Sequence, residues 1–256
     1  PTRLFAKTTP SVLTRLTSGP SAGQEARFFT TLRPLLQIET PPHRHSSFDR
    51  VSGRSLHLFS DLTVEGAQFC DYRTSFSESE MRHALTLLAT LHGRFYASPM
   101  LENELAWIPT YTTFFEALAR TGTRAFHEQA LIDASAVIPA NVRAAGHLLW
   151  PAAESALAAH KTEPRAVIHS DVHPGNWYLT AAGTPGLCDW QCIAQGHWSR
   201  DLAYALSSML PVEARRAWER PLVEHYVTAL ANAGGPRVTF DDAWAHYRQQ
   251  LAPALL

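Results

Sequence analysis

Apolar residues recur along this chain at two distinct periods. Met81, Leu85, Leu88, Leu91 and Phe95 follow one another at three- and four-residue steps, which lines one face of a helix, and Ser77 or Ser79 stands just ahead as an N-cap. Similar patterning predicts helices over 21–38, 112–120, 140–160, 199–210, 213–233 and 241–251. Elsewhere the runs are short and β-rich: 4–7, then 48–51 and 55–59 around a Ser52-Gly53 turn, then 165–168, 177–180 and 186–188. Thr40-Pro41-Pro42 breaks the chain ahead of the first hairpin, and Ala182-Gly183-Thr184-Pro185 supplies the turn of the second.

Strands therefore crowd the front of the chain and helices fill the rest, an α+β pattern with a boundary near Thr63 that divides it into 1–63 and 64–256. No internal repeat or low-complexity linker interrupts it. The most apolar stretch, 134–159, is broken by Arg143, His147 and Glu154, so no membrane span is expected. A chain of 256 residues, 45% hydrophobic and 18% charged, can bury roughly 70–75% of its unfolded surface. Its formal net charge of −1 argues against a nucleic-acid partner, which needs a basic face. Cys70, Cys188 and Cys192 form no metal-ligand spacing and leave an odd count for disulfides, which suits a reducing cytoplasm. Oligomeric state has no signature in the sequence.

The chemistry concentrates in His169-Ser170-Asp171-Val172-His173-Pro174-Gly175-Asn176 and, a hairpin later, Leu187-Cys188-Asp189-Trp190. Transfer of a nucleotide γ-phosphoryl group needs a carboxylate to accept the proton of the attacking hydroxyl and Mg²⁺ to neutralise phosphate oxygens. Asp171 suits the first task. Asn176 and Asp189 suit the second, since Mg²⁺ favours oxygen ligands and is held by one or two protein carboxylates plus the phosphates. At the front, Leu4-Phe5-Ala6-Lys7 reads as a strand ending in lysine, and Gln24 to Phe29 opens a helix with Glu25 in its first turn. Kinases use such a lysine to hold the α- and β-phosphates and such a glutamate to position it. Of 22 lysines and arginines only Lys7 and Lys161 are lysines, which makes the retained one suggestive. The plainer reading is an exposed strand end and a carboxylate favouring a helix N-terminus.

His169-x-Asp171-x-x-x-x-Asn176 resembles the catalytic loop of the aminoglycoside phosphotransferase superfamily, relatives of protein kinases, and the fuller motif looks most like its choline-kinase-like and ecdysteroid-kinase-like branches. The resemblance implies a two-lobed protein-kinase-like α+β fold, with an incomplete small β-rich N-terminal lobe and a larger, mainly helical C-terminal lobe. Asp171 would be the catalytic base, Asn176 a metal ligand, and Asp189-Trp190 the counterpart of Asp-Phe-Gly. Ser170 stands where the family commonly has Gly. Ser60-Asp61-Leu62 resembles the hinge whose backbone holds the adenine ring. The segment from Gly196 to Tyr204 resembles the one in which an Asp-Leu-Ala sequence opens a helix, so that Asp201 would brace the catalytic loop; Arg200 beside it reads as a surface arginine or, alternatively, a phosphate contact. His169 would be scaffold, His173 a further polar group near the phosphate, and His92 a structural histidine. The family normally carries earlier strands and a nucleotide-covering loop, so the chain, starting at Pro1, is expected to lack much of its N-terminal lobe.

The resulting expectation is a kinase that transfers phosphoryl from ATP, or GTP, with Mg²⁺, to a small-molecule alcohol. No acidic cluster matches a polycationic aminoglycoside. Trp107, Tyr111, Phe114 and Phe115 would either line a pocket for a more apolar or quaternary-ammonium acceptor or pack between helices. Two alternatives stand beside it: a nucleotide-binding pseudokinase, and a hydrolase with a metal on His169, Asp171 and His173.

Overall fold

The computed structural model describes residues 3–255. β1 (Leu4–Thr8) pairs antiparallel with β3 (Arg54–Ser60), whose other edge takes β2 (His43–Asp49), giving the order β1-β3-β2. The turn joining β2 to β3 places Gly53 at φ +66°, a region that glycine enters without a Cβ penalty. Against this sheet packs α1 (Val12–Arg27), which runs on through a π turn at Phe28–Leu32 and a 3₁₀ turn at Arg33–Leu35.

The start of α1 differs from expectation. Gly19-Pro20 reads locally as a break, yet the helix begins at Val12, with the Arg15 N–H on the Ser11 carbonyl at 3.0 Å. Burial of Ala22, Glu25, Ala26, Phe28, Phe29 and Leu32 along its later part outweighs the local break signal. Glu25 consequently lies in the last turn of the helix, not the first. A carboxylate there gains nothing from the helix dipole, so its position calls for a specific partner.

Beyond the first sheet, short antiparallel pairs carry the loops. β4 (Gln68–Phe69) joins a sheet of order β4-β6-β7 with β6 (Trp177–Leu179) and β7 (Pro185–Leu187), while β5 (Ala166–Ile168) pairs with β8 (Ala194–Gly196). The long helix α2 (Glu78–Phe95) starts in a capping box, Ser77 Oγ accepting from the Glu80 N–H and the Glu80 carboxylate accepting from the Ser77 N–H. Its apolar face enters a core that includes the fully buried Trp177, Trp190 and Trp198.

Then come α3 (Tyr111–Arg120), α4 (Thr123–Asp133), α5 (Ala140–Ala144), α6 (Gly146–Thr162), α7 (Ser199–Met209), α8 (Val212–Asn232) and α9 (Phe240–Gln249). The stretch expected as one helix over 140–160 divides at Ala145. α4 was not expected, and none of its residues is buried, so it offers no apolar stripe. All sheets are antiparallel and the helices follow in series, the expected α+β class. Among the described residues no helix is long and apolar enough to cross a membrane.

Two core histidines make stability sensitive to acid. His160 Nδ1 accepts from the His197 N–H at 3.0 Å, its Nε2 lies 3.1 Å from Gln250 Oε1, and His197 Nδ1 lies 2.7 Å from Ser199 Oγ. Burial pushes His160 from 6.5 down to about 4 and His197 down to about 2. Below pH ~6.5 the unfolded chain takes up these protons and the folded chain does not, so stability falls as pH falls. The expected slope is about 2–3 kcal/mol per pH unit for the pair between pH 6 and pH 4. Urea midpoints measured from pH 8 to pH 5 should drop below pH 6.5; midpoints level down to pH 5 would contradict this account.

Candidate active site

The site is built from loops between short strands, joined by Lys7 of β1, Glu25 of α1 and Asp201 of α7. β5 delivers the chain to His169, after which Ser170 takes φ +64°. A non-glycine residue there carries strain of about 1 kcal/mol or more. It is held by its own hydrogen bonds: the Ser170 N–H donates to Asp201 Oδ1 at 2.9 Å, and its hydroxyl donates to the Cys192 carbonyl. The same carboxylate accepts the His169 N–H at 2.7 Å, and its Oδ2 lies 3.1 Å from His92 Nε2. Asp201, in the first turn of α7 and wholly buried, thus fixes two successive peptides of the loop. Burial alone would push its carboxyl up; the hydrogen bond and charge of His92, with His169 and Arg200, hold it below the usual range. His92 is itself fully buried, its Nδ1 2.6 Å from the Tyr226 hydroxyl.

His169 is committed at both ring nitrogens. Nε2 lies 3.0 Å from the Cys188 carbonyl, and Nδ1 accepts the Asp171 N–H at 3.3 Å. His173 caps the turn Pro174–Asn176 through Nδ1, which accepts the Gly175 N–H at 3.1 Å, while its Nε2 lies 3.7 Å from Asp171 Oδ2. A metal on His169, Asp171 and His173 has no support in this geometry. Among the described residues the group of three side chains close enough to share an ion lies elsewhere, at Glu163, His197 and His246.

Asp171 is one-third exposed, and the Asn176 side-chain N–H₂ donates to its carbonyl at 2.7 Å and to its Oδ2 at 3.1 Å. That leaves the Asn176 amide oxygen as an acceptor. The Asn176 carbonyl receives the Cys188 N–H at 2.9 Å, which ties the first loop to the segment between β7 and Asp189. Asp189 adopts the left-handed region, φ 59°, ψ 71°. Its Oδ1 accepts from Lys7 Nζ at 3.1 Å, and Lys7 Nζ also lies 2.8 Å from the buried Glu25 Oε2. Burial disfavours the lysine charge, but the two carboxylates raise its pKa above the ordinary value and keep it charged. One turn-neighbour of Glu25 secures the arrangement: Phe28 stacks on Trp190, centroids 3.7 Å apart and rings within 6° of parallel. The thiols of Cys188 and Cys192 are pushed up to about 12 by burial and the neighbouring carboxylates, so neither is a nucleophile here.

A cavity of about 470 Å³ opens onto this centre. Lys7, Glu25, Asn176 and Asp189 line it together with Ser60, Asp61, Leu62 and Thr63, and Phe5, Phe29, Phe59 and Phe69 supply apolar walls. The Asp61 carboxylate accepts from the Thr63 N–H and hydroxyl at 3.1 and 2.6 Å, so that side chain serves its own loop. Asp171 lines a second cavity, of about 210 Å³, with Tyr111, Phe114 and Phe115. The hydrogen-bonded pair Asn176 and Asp171 therefore has one member in each cavity. Trp107 is in neither; the Arg27 guanidinium lies 4.5 Å over its ring.

Arg200 departs from the surface position expected of it. It is 94% buried, its Nε donates to the Tyr111 hydroxyl at 2.6 Å, and it lines the second cavity. Tyr204 and Trp150, which sequence reasoning did not single out, line it too. Tyr204 had a usable signal: it follows Arg200 by four residues on α7, the spacing that places two side chains on one helix face, and the guanidinium lies 4.4 Å over its ring.

Comparison with known proteins supplies the context. A family model described as the phosphotransferase enzyme family matches residues 10–248. No curated protein sequence matches the chain. The fold is shared with the macrolide 2′-phosphotransferase MphH from Brachybacterium faecium, at 19% identity over 99% of this chain and 74% of that one, TM-score 0.58. It is shared also with an aminoglycoside-3′-phosphotransferase of type VIII (16% identity, 99% and 85%, TM-score 0.55) and with the GDP complex of wild-type aminoglycoside 2′-phosphotransferase-IIIa (13%, 91% and 72%, TM-score 0.56).

Proposed function

Because the chain belongs to the phosphotransferase enzyme family, we propose that it transfers the γ-phosphoryl group of ATP, or of GTP, to a hydroxyl of a small molecule. The observation that carries this reading is the Lys7 ammonium held between Glu25 and Asp189 in the lining of a 470 Å³ cavity that Ser60 to Thr63 also line. That volume suits a nucleotide. In this reading the segment to Thr63 is the nucleotide lobe, the remainder is the helical lobe, and the backbone of Ser60, Asp61 and Leu62 receives the base. Three free thiols fit a cytoplasmic setting.

The donor set in the lining fits Mg²⁺: the Asp189 carboxylate and the Asn176 amide oxygen, both hard oxygens, the amide nitrogen being already taken by Asp171. Bound there with the nucleotide, Mg²⁺ would neutralise charge on the phosphate oxygens. Lys7, held by Glu25, grips the phosphates. Asp171 orients the acceptor hydroxyl and takes its proton as the oxygen bonds to the γ-phosphorus and the bond from that phosphorus to the bridging oxygen breaks, leaving a nucleoside diphosphate. Asp201 and His169 hold the loop in register for this.

Titration of ATP with and without Mg²⁺, using wild type and Asp189→Asn, tests the assignment. Affinity in Mg²⁺ should fall roughly 10–100-fold in the variant, the scale on which metal-site residues act. An equal loss in the absence of Mg²⁺ would remove Asp189 from the metal role, and no nucleotide binding by folded wild type would remove the reading itself.

A further inference from the structure

Resting on the phosphotransferase reading, we propose that the second cavity is the acceptor site and that Arg200 selects a compact alcohol bearing a carboxylate. The cavity, at about 210 Å³, lies below the roughly 300–1,000 Å³ that drug-sized ligands occupy. The part of the acceptor that enters it is therefore small. Tyr111, Phe114, Trp150 and Tyr204 give it aromatic walls suited to an apolar body, and Asp171 stands among them where a hydroxyl must arrive.

Arg200 is the one cationic side chain among the described residues of the lining, set apart from the Asp171 carboxylate that faces the reacting hydroxyl. The guanidinium is clamped from two sides, its Nε donating to the Tyr111 hydroxyl and its Cζ lying 5.3 and 4.4 Å over the rings of Tyr111 and Tyr204. Its Nη1 is buried and has no hydrogen-bond partner in the protein. Its sequence neighbour Asp201 does not serve it, because both oxygens of that carboxylate are occupied by the His169 and Ser170 N–H groups and His92. A permanently charged, desolvated donor left unpaired is costly, and its planar fork matches a carboxylate. A quaternary ammonium or a polycation would instead meet this charge at close range. Asp171 takes the proton of the hydroxyl as the new oxygen–phosphorus bond forms, while the carboxylate on Arg200 stays unchanged and fixes which hydroxyl reacts.

Three probes with one scaffold separate the possibilities: 4-(hydroxymethyl)benzoate, 4-methylbenzyl alcohol and 4-(aminomethyl)benzyl alcohol, which place an anion, a methyl or a cation opposite the same hydroxymethyl group. Each is titrated calorimetrically into the Mg-ATP-analogue-loaded chain and assayed for nucleoside diphosphate release with Mg-ATP. The anion should bind and turn over better than the neutral probe by on the order of 10–100-fold, the scale of a charge-assisted hydrogen bond. Arg200→Met should bring the anion-to-neutral ratio to within about threefold. Arg200→Lys, which keeps the charge and loses the fork, should give an intermediate ratio and covers a Met variant that fails to fold. Equal affinity for the three probes, binding of none, preference for the cation, or an anion preference retained without Arg200 would each overturn the proposal. ATP binding measured on the same samples reports separately on the phosphotransferase reading.

Discussion

Replacing Asp171 with Asn is expected to lower kcat by about 10²–10⁴-fold, the usual size of a general-base contribution, with nucleotide affinity retained. The substitution is isosteric. The main-chain bonds of residue 171, its N–H on His169 Nδ1 and its carbonyl on the Asn176 amide, do not involve the side chain. The remaining amide oxygen can still accept from Asn176. The cavity proposed for the nucleotide is lined by Lys7, Glu25, Asn176 and Asp189 and not by Asp171, so the variant should separate binding from chemistry. Stopped-flow or steady-state turnover beside an ATP titration measures both. Undiminished turnover in the variant would take Asp171 out of the reaction.

Asp201→Asn should unfold the protein more readily by about 3–5 kcal/mol, the scale for removing one partner of a buried charged network. The wild-type carboxylate, fully buried, accepts three hydrogen bonds, at 2.7, 2.9 and 3.1 Å. An amide must turn its N–H₂ toward at least one of those donors, leaving it unpaired. The cost differs in pH from that of the core histidines. A depressed carboxyl pKa contributes stability above the unfolded value near 3.9 and loses it only as pH falls through the lower folded value. The histidine effect begins near pH 6.5 and persists in the variant. Urea unfolding at pH 7.5 decides the point; a loss under 1 kcal/mol would mean the loop holds itself without this carboxylate.

The candidate site around Asp171 was legible because its groups are close in sequence: Asp171 and Asn176 lie five residues apart, and one hairpin separates them from Asp189. A helix as periodic as α2, with its serine cap, was legible for the same local reason. What depends on tertiary contact was not. Nothing near Gly19-Pro20 announces that a helix runs through it, because the residues that stabilise it are buried against the sheet and against Trp190. Arg200 read as a surface residue since its shelter comes from Tyr111, 89 positions away. β4 is only two residues long, and β8, Ala194-Gln195-Gly196, carries no β-branched or aromatic residue to mark it as a strand. α4 has no buried face to announce it.

The stack of Phe28 on Trp190 has a mechanical meaning. Glu25 and Phe28 leave the same side of one helical turn, the first gripping Lys7 of β1 and the second lying flat on the ring that follows Asp189. Strand, helix and the turn at Asp189-Trp190 are thereby tied to one another beside the part of the cavity that Lys7, Glu25 and Asp189 line.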